Sequence, residues 1–276
     1  MEKITVLVPV HNEEEMIEDA LKSVVWADEI LIIDSGSKDK TLEICKRYKA
    51  RILYHKYNYY AQQVNWGIER AKYNWVLLLD ADERVTPELA QEIKDLLKKP
   101  NFLNRYKGCF LARRHYFLGK WLRHGGRYPL YNIRLFKKFC RLEDRLVHPH
   151  IILEKKDTLK LKNDVIHFSD RNFEQFLDKL NSYSTYEAEE AYRNLKKQEK
   201  ITWRKVLTNY LFFKSTIKKF WIRLPLAGLL RFLYMYIFRL GFLDGYEGFI
   251  IALFYGFNDA ASKVKFKELI KKNARY

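Results

Sequence analysis

An apolar run at residues 75–79, Trp-Val-Leu-Leu-Leu, ends abruptly in three carboxylates around one alanine, Asp80-Ala81-Asp82-Glu83. Five continuous apolar residues suit a strand buried on both faces of a parallel sheet, because such strands show no alternation. Open α/β sheets bind their ligands at the carboxyl ends of these strands. In an extended segment residues two apart share a side, so Asp80 and Asp82 face one cleft while Ala81 turns away. Two carboxylates held that close repel each other unless hydrogen-bond donors or a cation intervene. A hard divalent cation shared with phosphate oxygens meets that need. A polar strand end leading into a helix cap is the plainer reading of the same residues.

Around this stretch the first hundred residues alternate strand and helix. Residues 4–10 form a β-branched run, and residues 13–25 carry Met16, Ile17, Ala20, Leu21 and Val24 at helical spacing. Strands at 29–34 and 51–54 alternate with helices at 41–48 and 61–71. Pro87 near the start of a further helix, which ends around Lys99-Pro100, follows the rule for proline at a helix entrance. Repeated βαβ units predict a mostly parallel sheet with right-handed crossovers.

In such a sheet the ends of the first, second and fourth strands open at one edge. Glu13, Asp34, Asp39, Asp80 and Asp82 would converge there. The chain has no GxGxxG and no GxxxxGK[ST], which disfavours dinucleotide and P-loop chemistry. Carboxylates at such an edge suit ribose hydroxyls, a base edge and a metal. Taken separately, each end also reads as a helix cap or an Asx-turn.

The net charge of +17 matters only once it is located. Residues 1–100 hold 15 Lys or Arg against 18 Asp or Glu, a net of −3, and residues 101–276 carry a net of +20. A basic back half points to a polyanionic partner: nucleic acid, anionic lipid or a phosphorylated glycan. A lysine-rich surface without a partner would look the same. Cys45, Cys109 and Cys140 show neither CxxC spacing nor a paired framework, and a reducing compartment is expected. The opening Met-Glu-Lys-Ile-Thr-Val-Leu reads as a strand rather than a signal peptide, so the expected location is the cytoplasm.

Four ordered motifs, Val8-Pro-Val-His-Asn-Glu13, Ile33-Asp-Ser-Gly-Ser-Lys-Asp39, Asn65-Trp-Gly-Ile and Leu79-Asp-Ala-Asp-Glu83, resemble those of family 2 glycosyltransferases. The resemblance implies an α/β GT-A fold, Rossmann-like with a mostly parallel sheet, followed here by a helical, basic C-terminal region. It implies a nucleotide-sugar donor, foremost a UDP-sugar, and inversion at the anomeric carbon. By it, Pro9, Val10, Glu13, Asp34, Gly36 and Asp39 would hold the nucleoside. Asn65 would lie beside the donor pocket, and Asp80, Ala81 and Asp82 would serve the nucleotide sugar, with Asp80 and Asp82 on a divalent cation, Mg²⁺ or Mn²⁺. Looser stretches, Arg134-Leu-Phe-Lys-Lys, Arg145-Leu-Val-His148, Lys179-Leu-Asn-Ser-Tyr-Ser-Thr185 and Gly241-Phe-Leu-Asp-Gly245, resemble the subgroup of lipopolysaccharide-core and exopolysaccharide transferases. Many members of that subgroup carry glutamate after the Val-His pair, where this chain has Pro149.

Inverting transfer needs a base on the acceptor side, and a carboxylate within hydrogen-bond reach of the acceptor hydroxyl serves best. Asp144 is the first candidate, Glu143 the second and His148 the third. Residues 113–128 combine Arg113, Trp121, Arg123, His124 and Arg127 with glycines, which reads as a flexible acceptor-binding or lid loop. His148 joins that acceptor set.

From residue 172 onward the pattern is helical. An apolar stretch at 224–257 is broken by Arg231, Arg239, Asp244 and Glu247, too often for a membrane span of about 20 residues. Basic, aromatic-rich helices, including one expected at 203–221, suit a membrane surface, and core-facing packing is the competing reading. The expected division is a transferase domain at 1–170, with a nucleotide-sugar half (1–100) and an acceptor half (101–170), and a helical region at 171–276. The leading function is sugar transfer to a lipid-linked, lipopolysaccharide-core or exopolysaccharide acceptor, with the enzyme peripheral at the inner face of the membrane. A polyprenyl-phosphate acceptor is the alternative. A nucleic-acid-binding protein is the reading from another class. It is disfavoured because no such motif is present and acidic strand ends repel phosphate, so no nucleic-acid partner is expected.

Overall fold

The structure is a computed structural model that describes residues 2–146, 149–168, 172–196, 221, 224 and 226–273. They fall into two compact units, Met1–Trp121 with Arg127–Ser169, and Leu122–Gly126 with Asp170–Tyr276.

The first unit is built on one sheet. Its strands are β1 (Ile4–Val10), β2 (Glu29–Asp34), β3 (Arg51–Tyr54), β4 (Trp75–Leu78), β5 (Glu83–Val85), β6 (Gly108–Phe117), β7 (Lys120–Leu122), β8 (Leu130–Lys137) and β9 (Thr158–Phe168). Their spatial order is β3-β2-β1-β4-β8-β6-β9-β5, with β7 paired to β6. The β3-β2-β1-β4 half is parallel, as repeated βαβ units require. Beyond β4 the sheet is mixed: β8 runs antiparallel to both β4 and β6, β6 parallel to β9, and β5 antiparallel to β9.

Helices α1 (Ile17–Lys22), α2 (Thr41–Arg47), α3 (Tyr60–Arg70), α4 (Pro87–Leu96) and α5 (Pro100–Arg105) cover the sheet. Alternate strand residues face opposite layers, so the core is double. Val6, Val8, Ile32, Trp75 and Leu77 pack toward α1, α2, α4 and α5, while Leu7, Leu31, Ile33, Val76 and Leu78 pack toward α3. A Cβ at Gly67 would sit 2.8 Å from both Ile33 Cγ1 and Leu7 Cδ1, so glycine lets α3 approach the sheet this closely. At the start of α4 the Thr86 hydroxyl accepts from the Leu89 N–H at 3.2 Å and Pro87 takes the first turn. Helix α1 is shorter than the periodicity of residues 13–25 predicts, because residues 11–16 form a turn that faces the loop after β2.

The second unit is helical: α6 (Phe173–Lys196), α7 (Ala227–Leu233) and α8 (Gly245–Asn273), with a π-helical turn at Tyr234–Phe238 and a 3₁₀ turn at Gly241–Asp244. Phe254 of α8 packs edge-on against Phe173 and Phe176 of α6 at 5.2 and 5.8 Å. Asp259 accepts from Trp221 Nε1 at 2.6 Å and Arg231 Nε at 3.0 Å. Among the described residues, no helix is long and apolar enough to cross a membrane. The helix expected at 203–221 lies outside the described residues, apart from Trp221.

Candidate active site

Asp80, Ala81 and Asp82 follow β4 in a turn that Glu83 closes from both ends. The Glu83 N–H donates to the Asp80 carbonyl at 3.0 Å, and the Asp80 N–H donates to Glu83 Oε2 at 3.0 Å. The Glu83 carboxylate is fully buried. Its Oε1 lies 2.8 Å from Arg113 Nη2 and accepts from Arg134 Nη2 at 3.0 Å. Burying that carboxylate is tolerable only because two guanidinium groups stay with it.

Those guanidinium groups also hold Asp80. Arg134 Nη2 donates to Asp80 Oδ2 at 2.5 Å, Arg113 Nη2 is 3.7 Å away, and the Tyr60 hydroxyl donates to Oδ1 at 2.7 Å. Burial alone would raise the Asp80 pKa, but the charges of Arg134 and then Arg113 outweigh it and hold the carboxyl below its ordinary range. Burial and the neighbouring Asp80 charge push the Tyr60 hydroxyl well above its usual value. Arg134 thus meets one Asp80 oxygen and Tyr60 the other.

Asp82 has different company. Its Oδ2 lies 3.4 Å from His167 Nε2, because β5 and β9 pair with Glu83 opposite His167. The next strand sets His115 opposite His167, with their Nδ1 atoms 2.9 Å apart, and Arg127 Nη2 reaches His115 Nε2 at 2.7 Å. A carboxylate beside an imidazole is a donor set that divalent first-row cations accept. Asp82 and His167 fit such an ion. Among the described residues no group of three His, Cys, Asp or Glu side chains is assembled for one, so further ligands would have to come from a bound molecule.

The other strand ends meet at the same edge, and their carboxylates mostly pin the loops. Asp34 is buried and accepts from the N–H of Gly36 at 2.9 Å and from the Ser37 N–H and hydroxyl at 3.0 and 2.6 Å, an Asx-turn in which Gly36 takes φ +101°. Asp39 accepts from the Thr41 hydroxyl and N–H and from the Glu14 N–H. Burial would raise the Asp39 pKa, but these hydrogen bonds outweigh it and lower it. The Glu13 N–H donates to the Thr41 hydroxyl at 2.7 Å, and the Val10 carbonyl accepts from Ser35 beside Pro9. Asp34 and Asp39, expected on the nucleoside, hold the loop after β2 in shape through these bonds.

Asn65 clamps the segment before Glu143 with two hydrogen bonds, from its Nδ2 to the Leu142 carbonyl at 3.1 Å and from the Leu142 N–H to its Oδ1 at 2.8 Å. Asp144 Oδ1 accepts from the Tyr59 hydroxyl at 2.5 Å. Asn65 and Asp144, with Tyr59, Gln62, Trp66 and Glu69, line a pocket of about 280 Å³. Glu143 pairs with Arg145 at 3.4 Å. His148 lies outside the described residues.

The stretch 113–128 is not one flexible loop. Residues Gly108–Phe117 form β6, which runs through Arg113, and the Arg113 guanidinium joins the Asp80–Glu83 cluster. Alternation across the paired strand is the reason, since it turns Arg113 and His115 to the side that holds Glu83 and His167. Trp121 meets Tyr128 edge-on at 5.1 Å, with the Arg114 guanidinium 5.1 Å from its ring. Within the helical unit, Asp244 accepts from the His124 N–H at 2.8 Å and lies 2.8 Å from its Nδ1. Arg123 is exposed.

Sequence reasoning assigned no role to Tyr60, Glu83, Arg134, His115 or His167. The available signal was charge within apolar strands: Arg134 stands in Asn-Ile-Arg-Leu-Phe and His167 in Val-Ile-His-Phe, and a buried polar group needs a partner.

A family model for glycosyl transferase family 2 matches residues 5–159. An uncharacterized glycosyltransferase of Rickettsia typhi is 26% identical over 289 aligned residues, covering 99% of this chain and 89% of that protein. The lipopolysaccharide core biosynthesis glycosyltransferase LpsC of Rhizobium meliloti is 27% identical, covering 65% of this chain and 68% of LpsC. Among solved structures, S. aureus TarS 1-349 is similar with a TM-score of 0.48 and 14% identity, over 99% of this chain and 91% of that one. The matched residues include the strand ends that converge beside Asp80 and Asp82, and they make up more than half of the sequence: the chain belongs to glycosyl transferase family 2.

Proposed function

We propose that this glycosyltransferase moves a sugar, with inversion, from a nucleotide sugar, foremost a UDP-sugar, to a glycan or glycolipid acceptor of the lipopolysaccharide-core or exopolysaccharide kind. The observation that carries this reading is the division of labour at the end of β4. Asp80 is neutralised by Arg113 and Arg134, and Asp82 stands beside His167. Asp80 so placed is an acceptor for hydroxyls of the donor. Asp82 and His167 would hold a Mg²⁺ or Mn²⁺ ion, which when bound stabilises the negative charge of a departing diphosphate. The loops pinned by Asp34 and Asp39 frame the nucleoside. The likeness to LpsC supports the acceptor class.

On the acceptor side, Asp144 takes the proton of the attacking hydroxyl. Its hydrogen bond from Tyr59 orients the carboxylate and leaves its second oxygen for the acceptor. The helical unit supports a peripheral membrane location: Leu226, Phe238, Tyr246 and Phe257 are 60, 76, 68 and 64% exposed in a strongly basic half of the chain.

Replacing Asp82 by Asn tests the donor side. The variant should keep its circular dichroism spectrum and lose both transfer and Mn²⁺-dependent UDP binding. Full activity in that variant, or in wild type with excess EDTA, would sink the metal-assisted reading.

A further inference from the structure

The segment from the π-helical turn to the start of α8 is held firmly from inside. Tyr236 is stacked on Phe232 at 5.4 Å and meets Phe249 and Phe242 edge-on at 5.6 and 6.2 Å. The loop Leu122–Gly126 belongs to the same helical unit and is tied to this segment. Asp244 accepts from the His124 N–H and lies 2.8 Å from its Nδ1, and the Arg239 carbonyl accepts from the Gly125 N–H at 2.8 Å. On that frame the outward side chains are apolar: Phe238, Leu240, Leu243 and Tyr246 are all exposed. Leu240 also takes φ +58°, a left-handed backbone that is costly for leucine and ordinary for asparagine or glycine. Neither burial nor backbone preference accounts for leucine there. An apolar surrounding outside the chain does. Between Phe238 and Leu240 stands a cation, Arg239, whose exposed guanidinium lies over Gly126, where a Cβ would be 3.4 Å from Nε. Arg231 is paired with Asp259 at 3.0 Å, but among the described residues no acid pairs with Arg239.

We propose that residues 238–246 are the segment that enters the bilayer surface, and that Arg239 within it binds the phosphate of an anionic phospholipid. This rests on the peripheral membrane reading and goes beyond it: diffuse attraction to a basic surface needs no particular residue, whereas this site needs a guanidinium at 239. At the level of lipid phosphates both features are satisfied together. The apolar side chains pass below the headgroups, and the guanidinium fork meets phosphate oxygens in pairs. A soluble phosphate would answer the charge and leave the apolar side chains on both sides of it in water. The lipid in its bilayer answers both.

The test is sedimentation of the full chain with vesicles of phosphatidylcholine and phosphatidylglycerol at low salt. Wild type is compared with Arg239→Lys, Arg239→Gln, Leu240→Asn and Lys271→Gln, each checked for folding by circular dichroism. Lys271 is an exposed lysine near the end of α8, so its loss measures one diffuse charge, about fivefold in affinity. Arg239→Gln should weaken binding by more than about tenfold, the scale of a hydrogen-bonded charge. Arg239→Lys keeps the charge and loses the fork, and should weaken it by about fivefold. Leu240→Asn suits the left-handed backbone and should bind more weakly with an unchanged spectrum. Arg239→Lys equal to wild type, or Arg239→Gln no weaker than Lys271→Gln, overturns the phosphate site. Leu240→Asn that binds like wild type overturns insertion of the segment. Wild type that does not sediment overturns the membrane reading itself, and the site with it.

Discussion

Arg134 uses one nitrogen, Nη2, to reach Asp80 at 2.5 Å and Glu83 at 3.0 Å. One buried guanidinium thus bridges the carboxylate that faces the cleft and the carboxylate that closes the turn beneath it. Burial would lower the Arg134 pKa, yet Asp80 and Glu83 raise it well above the ordinary arginine value, so the charge persists. The turn is a network of alternating charge, and taking out its centre leaves two carboxylates to share Arg113 alone.

Arg134→Ala should therefore destabilise the folded chain by about 3 to 5 kcal/mol, the scale for stranding a buried charge. Urea unfolding followed by circular dichroism measures it. Arg134→Lys should recover only part of the loss, because an ammonium cannot reproduce the fork. A loss below about 1 kcal/mol in Arg134→Ala, the scale of an exposed pair, would mean that solvent replaces the guanidinium.

Asp144→Asn should cut turnover by roughly two to four orders of magnitude, the range for losing a general base. Donor affinity should hardly change, since the side chain acts on the acceptor. Glu143→Gln and His148→Gln are the comparisons. Near-normal turnover in Asp144→Asn together with collapse in either neighbour would transfer the role to that neighbour.

The loop between β2 and α2 makes a prediction about pH. The Asp39 carboxyl titrates below its ordinary value of 3.8 in the folded chain, because the Thr41 and Glu14 hydrogen bonds outweigh burial. A depressed carboxyl contributes stability above its unfolded pKa and loses that contribution as pH falls through the lower folded value. Thr41→Val removes the hydroxyl bond and keeps the shape. In that variant Asp39 should titrate closer to 3.8, as followed by carboxyl NMR, and acid unfolding should begin at higher pH. An unmoved Asp39 titration would show that the backbone N–H bonds alone depress it.

The helical unit should bind anionic vesicles, and binding should weaken as salt screens the basic half. Phe238→Ser and Tyr246→Ser should weaken it further at constant salt, because both side chains are exposed and apolar enough to enter the interface. Failure of the wild type to sediment with anionic vesicles at low salt would count against the membrane location.

The local half of this protein was legible in one dimension. Residues 4–10 and 29–34 are the strands β1 and β2 that their β-branched runs predict, and Thr86-Pro87 starts α4, because strand burial, helix period and capping are relations between near neighbours in the chain. The convergence of Glu13, Asp34, Asp39, Asp80 and Asp82 at one edge followed from parallel topology. What those carboxylates do there was decided by residues far away in sequence. Arg134 stands 54 positions from Asp80, and His115 stands 52 from His167. The antiparallel entry of β8 between β4 and β6 brings Arg134 to Asp80, and the pairing of β9 with both β5 and β6 brings His167 to Asp82 and His115. Side-chain period alone could not say that β6 runs through Arg113 or which charge meets which. Register between distant strands is set by the packing of the whole sheet, and a charge inside that packing takes its role from the partner that register delivers.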